Sequence, residues 1–206
     1  MYARSTTVRG NPEKVDELIA FVRTEVMPAL QAMSGNVGTS MMCDREAGRC
    51  IVTSAWADDT AMHATEQSVV ELRQRAAEIM DGEYETEGWE IAVMHRLREA
   101  PEGACTRVTW LRGDPARMDE AIATYRRRVV PAIERWYGFC SVSGLVDRER
   151  GMASIATTYE SRDALQQSHA QAVALRDQIA AETGAEVAEV AEFDLVLAHL
   201  AVPETV

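Results

Sequence analysis

No apolar run in this 206-residue chain approaches the ~18 residues that a membrane-spanning helix needs. The opening residues, Met1 to Thr7, contain no hydrophobic stretch that could act as a secretion signal, so a cytoplasmic location is the expectation. Basic charge is scarce as well. Lys and Arg number 21 against 33 Asp and Glu, giving a net charge of −12 that both halves share, −8 over residues 1–103 and −4 over 104–206. A uniformly acidic chain repels phosphate backbones, which argues against a nucleic-acid partner. The one basic cluster, Arg126-Arg127-Arg128, fans around a helix and reads as a solvated face. The four cysteines lack the spacing of a metal site or a disulfide framework. Cys43 and Cys50 flank a hairpin turn and can face each other as buried free thiols. The four histidines, His63, His95, His169 and His199, share no local spacing of a metal site either.

What the chain does have is a repeat. Residues 9–73 fall on 112–176 at an offset of 103, without a gap and with about twenty identities. Arg9-Gly10-Asn11-Pro12 meets Arg112-Gly113-Asp114-Pro115, and Asp44-Arg45-Glu46-Ala47-Gly48 meets Asp147-Arg148-Glu149-Arg150-Gly151. One further residue after the second helix brings Trp89 and His95 onto Phe193 and His199. A period near one hundred residues is a duplicated domain rather than a solenoid unit. The expected division is a first repeat over 1–97, a linker over 98–103 containing Pro101 and Gly103, and a second repeat over 104–206.

Each repeat reads as strand, helix, strand, strand, helix, strand. Asn11 or Asp114 offers an N-cap, with proline at the next position, where its missing N–H is harmless. The first helix carries the stripe Val15, Leu18, Ile19, Val22, Val26, Leu30 and Met33; its copy carries Met118, Ile122, Tyr125, Val129, Ile133 and Trp136. Pro28 and Pro131 lie inside that stripe and should kink or subdivide the helix. Gly35 or Gly138 ends it, Asp-Arg-Glu-x-Gly turns the following hairpin, and Asp58 or Ser161 opens the second helix. A βαββαβ unit builds a four-stranded antiparallel sheet with both helices on one face, the ferredoxin-like arrangement. The bare sheet face needs a cover. The expected fold is therefore α+β, two ferredoxin-like units with their sheets packed face to face as an intramolecular pseudo-dimer.

The βαββαβ order, the Gly-x-Pro entry to the first helix, the Asp-Arg-Glu-x-Gly hairpin, and Trp56 or Tyr159 ending the third strand resemble the antibiotic biosynthesis monooxygenase domain of the dimeric α+β barrel superfamily. The resemblance covers nearly the whole chain, twice. It implies a ligand between sheet and helices, and an activity such as cofactor-independent oxygenation of a quinol- or polyketide-like aromatic. Haem-degrading relatives use an Asn on the first strand with a Trp and a His on the second helix. Here the first strands lack Asn and the second helices lack Trp, which counts against that activity.

Within this frame His169, beside the apolar stripe of its helix, is the candidate proton acceptor near neutral pH; the alternative is a surface histidine. Trp110, Tyr125, Trp136, Phe139 and Tyr159, with Trp56 and His63 from the first repeat, are the candidate ligand-binding residues; the alternative is that the rings fill the core. His95 and His199 coincide between repeats, which favours a shared structural role. Aromatic residues are denser in the second repeat, so a single active unit would be that one. Two readings stand: an oxygenase of a small aromatic substrate needing no cofactor and no metal, or a non-catalytic barrel that binds a small hydrophobic molecule or is purely structural. Haem binding is a third. The chain is expected to act as a monomeric pseudo-dimer, or as a homodimer of it, without nucleic-acid or membrane partners.

Overall fold

The computed structural model describes residues 1–200 and 202–205. In the first repeat β1 is Tyr2–Arg9, α1 Val15–Phe21, α2 Met27–Gln31, β2 Asn36–Asp44, β3 Arg49–Trp56, α3 Asp59–Ala64, α4 Val70–Ile79 and β4 Glu83–Arg96. In the second, β5 is Cys105–Arg112, α5 Met118–Thr124, α6 Val130–Ile133, β6 Phe139–Asp147, β7 Met152–Tyr159, α7 Arg162–Gln167, α8 His169–Thr183 and β8 Glu186–Leu200. The hydrogen-bonded order is closed, β1-β3-β2-β8-β5-β7-β6-β4. The fold is thus α+β, two ferredoxin-like units whose antiparallel strands form one eight-stranded barrel.

Two compact units divide the chain, but not at the repeat boundary. One is Met1–Glu90 with Phe193–Val202, the other Ile91–Glu192 with Pro203–Val206. The reason is strand length: β4 and β8 run for 14 and 15 residues against eight or nine for the rest. The first half of β4 pairs with β1 from Arg9↔Glu83 to Tyr2↔Glu90. The second half of β8 pairs with β2, from Cys43↔Asp194 to Gly38↔Leu200.

Local chemistry explains the repeated elements. Asn11 and Asp114 side chains accept from Glu13 and Ala116 N–H at 3.0 and 2.9 Å, and Asp58 and Ser161 accept from Ala61 and Ala164 N–H at 2.8 and 3.1 Å. The prolines act through a π turn in each copy, Val22–Val26 before Pro28 and Tyr125–Val129 before Pro131. Proline lacks an N–H and crowds the carbonyl four residues back, and the wider turn absorbs both defects. Gly48 and Gly151 close the hairpins at φ +60 and +64; a Cβ there would lie 2.2 Å from the Gly10 or Gly113 carbonyl oxygen, so only glycine fits.

The first unit packs Val8, Leu18, Val22, Met41, Trp56 and Met80 into one dense core. In the second, Val129, Ile133, Phe139, Val142 and Val146 form the main cluster. No residue of α8 is buried, whereas α4 buries Arg73, Ala76 and Ala77. The helix over the second sheet is less deeply packed, and Ala172, Leu175 and Ile179 on it border a cavity. Among the described residues, no helix is long and apolar enough to cross a membrane.

Candidate functional site

The second unit has a cavity of about 160 Å³ between its sheet and helices, partly open to solvent; the first has about 50 Å³ at the same place. The equivalence is detailed. Each residue lining the smaller cavity, from Arg4 to Ala76, has its counterpart 103 positions later in the lining of the larger one. Side-chain size separates them. Ala121 stands where the first unit has Leu18, and Ala172 where it has Val69. Thr183 stands where Met80 is fully buried, whereas at Gly144, the counterpart of Met41, Val93 and Ile155 fill the gap, 3.1 and 3.2 Å from where a Cβ would lie. Tyr125 and Ile179, replacing Val22 and Ala76, take back only part of the space.

A buried arginine sits at one end of each cavity. Arg107 Nη1 donates to Ser168 Oγ at 2.9 Å, Nη2 to the Leu165 carbonyl at 2.9 Å, and Nη2 and Nε to Glu192 Oε1 at 3.0 and 3.2 Å. Arg4 repeats this with Thr65 Oγ1 at 3.1 Å and the Met62 carbonyl at 2.7 Å, but its carboxylate is Glu66, at 2.7 Å. The break between α7 and α8, and its copy between α3 and α4, exposes a carbonyl at a helix C-terminus, which a guanidinium complements. Burial pulls Arg4 below its ordinary pKa despite the opposing pull of Glu66.

A second arginine differs between the copies. Arg73 Nη1 is 2.5 Å from Glu66 Oε1, so one carboxylate serves two buried cations. The Arg73 hydrogen bond, helped by the charges of Arg4 and Arg73, holds the Glu66 carboxyl below the usual range against the opposing effect of burial. In the second unit the counterpart of Arg73 is Arg176, and that of Glu66 is His169. Arg176 lines the cavity with its Nε buried and without a hydrogen-bond partner; the carboxylate it meets is Asp177, at 3.7 Å.

The remaining polar groups in the lining are hydroxyls. Burial pushes the Tyr125 phenol up, with the charge of Tyr159 adding and a Thr157 hydrogen bond opposing. Burial also raises Tyr159, against hydrogen bonds from Ser168 and Arg107. Both stay protonated at neutral pH and can donate. Among the described residues, neither cavity is lined by a histidine, cysteine or carboxylate.

The expected site residues are thus brought together only in part. Tyr125, Trp136 and Tyr159 line the second cavity. Trp110 does not, because Arg107, Thr109 and Leu111 face it and strand alternation sends Trp110 to the other side. Phe139 is fully buried in the core, 6.2 Å from the His95 ring. Trp56 is packed in the first unit's core, its Nε1 donating to Ser54 Oγ at 3.1 Å. His63 is exposed, beside Asp59 at 3.1 Å. His169 is exposed at the start of α8 and lines neither cavity; one helical step turns a side chain by about 100°, and the inward position belongs to Ser168. His95 lies between Glu134 and Glu204, each 3.3 Å away, whereas His199 is exposed, so the repeated histidines have different settings. Arg126, Arg127 and Arg128 are all exposed, and Cys43 and Cys50 are cross-strand partners, buried as free thiols.

The buried arginines went unnoticed in the sequence. The signal was there: Arg4 and Arg107 are charges in mid-strand at the same offset of 103, and Arg73 and Arg176 are identical positions within the repeat.

Known proteins agree with this architecture. The antibiotic biosynthesis monooxygenase family profile matches residues 1–78. The uncharacterized proteins Rv2557 and Rv2558 of Mycobacterium tuberculosis (strain H37Rv) are 47% and 45% identical to the chain. They cover all of it, and it covers 92% and 88% of them. The solved structure of an anthrone oxidase-like protein superposes with a TM-score of 0.69 at 14% identity, covering 99% of this chain and 94% of its own. Duplicated βαββαβ units, a closed antiparallel barrel and these likenesses lead to one conclusion: the chain belongs to the antibiotic biosynthesis monooxygenase family, and the two mycobacterial proteins are its homologues.

Proposed function

We propose that the second unit binds a small aromatic molecule and that the first unit is its filled scaffold. The supporting observation is the retention of about 160 Å³ at positions that the first unit packs. Dry apolar cavities of about 150 Å³ accept benzene, which bounds the enclosed part of the ligand at about one ring.

The family favours oxygenation of a bound hydroxyarene without a cofactor. In such a reaction one atom of O₂ enters the ring and the other leaves as water, the substrate supplying all four electrons. The lining offers no base, since His169 lies outside it. It offers stabilisation of an oxyanion instead: hydroxyls of Tyr125 and Tyr159 that burial keeps protonated, and the Arg176 guanidinium. Such neighbours lower the pKa of a bound phenol, so its proton can leave to water.

Oxygen uptake with a panel of dihydroxybenzenes and naphthols, beside calorimetric binding of the same compounds, tests both layers. Uptake by the native protein that is lost in Ala121→Leu/Ala172→Val and kept in His169→Ala is expected. Binding without uptake would leave a non-catalytic ligand carrier. No binding by any one-ring compound removes the reading.

A further inference from the structure

In the first unit, Glu66 holds Arg73 at 2.5 Å and Arg4 at 2.7 Å from outside the small cavity, which both arginines line. Both arginines survive in the second unit as Arg107 and Arg176, but the carboxylate position is His169, whose ring is in solvent. Arg107 has recruited Glu192 from β8 instead. Arg176 has only a weaker replacement: it borders the enlarged cavity, and its buried Nε makes no hydrogen bond and is 3.7 Å from the carboxylate of Asp177, which is 67% exposed. The Arg176 side chain as a whole is 23% exposed, and its unbonded Nε has a parallel in Arg73 Nη2 of the first unit, but Arg176 has no Glu66 beside it; a planar carboxylate satisfies such a guanidinium best.

We infer that the natural ligand of the second cavity is an aromatic carboxylate of one-ring size, its carboxylate paired with Arg176 in the role that Glu66 plays in the first unit. The ring occupies the space vacated at Ala121 and Ala172, between Tyr125 and Ile179. This rests on the reading of the cavity as a ligand compartment and adds to it the charge of the ligand. Specificity follows from the same geometry. Neutral rings fit the apolar space but leave the Arg176 Nε unpaired, and aliphatic anions pair with it but leave the space empty.

Benzoate and its neutral isostere benzamide separate the two claims when titrated calorimetrically at pH 7 into the full-length protein. The expected result is at least tenfold tighter binding of benzoate. Arg176→Gln should abolish that preference while benzamide binding persists, and Arg176→Lys should restore part of it. His169→Glu, which rebuilds the first unit's carboxylate, should weaken benzoate at least tenfold and leave benzamide unchanged. This variant reports even if Arg176→Gln fails to fold. Equal binding of the two compounds to the native protein, or a preference that survives Arg176→Gln or His169→Glu, overturns the inference while the compartment stands. Binding of neither compound overturns both.

Discussion

Transplanting Leu18 and Val69 into the second unit, as Ala121→Leu/Ala172→Val, should fill the larger cavity and stabilise the protein. The two changes add five carbon atoms at positions lining about 160 Å³ of free space. At about 0.8 kcal/mol per buried methylene the gain is roughly 4 kcal/mol. The cavity term, at roughly 24 cal/mol per Å³, independently bounds it at about 4 kcal/mol. Fitting new side chains into an existing wall costs about 1–3 kcal/mol. The net expectation is a gain of about 1–3 kcal/mol. For a chain of this length each kcal/mol moves Tm by about 2–4 °C, so differential scanning calorimetry should record a rise of roughly 2–12 °C. Ligand binding should vanish in the same variant. The reverse exchange, Leu18→Ala/Val69→Ala, should lower stability by about 3–6 kcal/mol, because Leu18 and Val69 are buried in a dense core. A double variant of the second unit that melts lower than the native protein and still binds ligand would refute the reasoning, since the space would then be somewhere else.

Glu66→Gln should destabilise by about 2–4 kcal/mol, less than a fully buried pair would lose because Glu66 is 44% exposed. The folded pKa of Glu66 lies below its unfolded value, so its contribution is complete above about pH 4.3 and is lost as pH falls through the folded value. The Tm gap between native and variant protein should therefore stay flat from pH 8 to 5 and close below pH 4; a gap that widens in acid contradicts the pairing. Arg107→Ala should cost about 3–5 kcal/mol in urea unfolding, because Glu192 and the Leu165 carbonyl lose their shared donor. His169→Ala should change stability by under about 0.5 kcal/mol and leave ligand affinity unchanged, as suits an exposed side chain. All four cysteines are buried. The Cys43 thiol is pushed up first by its hydrogen bond with Cys50 and then by burial. A thiol reagent should therefore label none of the four in the native protein and all four after denaturation.

The architecture was readable because its signals are local and doubled. Caps at Asn11, Asp114, Asp58 and Ser161 and the glycines of both hairpins sit where repeat and pattern place them. The prolines pointed to a broken helix, and the π turns are the form the break takes. The site was less legible, since it depends on which way side chains face. Aromatic content favoured Trp110, but the parity of β5 gives the cavity to Arg107, Thr109 and Leu111. His169 lay one residue from the inward position that Ser168 holds. What opens the cavity is a set of small residues, Ala121, Ala172 and Thr183, and small residues send no signal until each is set against its partner in the other repeat. The extra length of β4 and β8, which shifts the compact units away from the repeat boundary, depends on pairing that no local pattern encodes.

Fusion of the two copies has an energetic corollary. Had the barrel remained an assembly of two identical chains, every truncation that widens a cavity would act twice, and so would the loss of the carboxylate at the position of Glu66. The penalty for lost packing, at most about 4 kcal/mol per enlarged cavity, would double to at most about 8 kcal/mol and draw on the margin of a marginally stable protein. Placing both halves under separate codons lets one stay solid and carry the fold while the other is free to become a container.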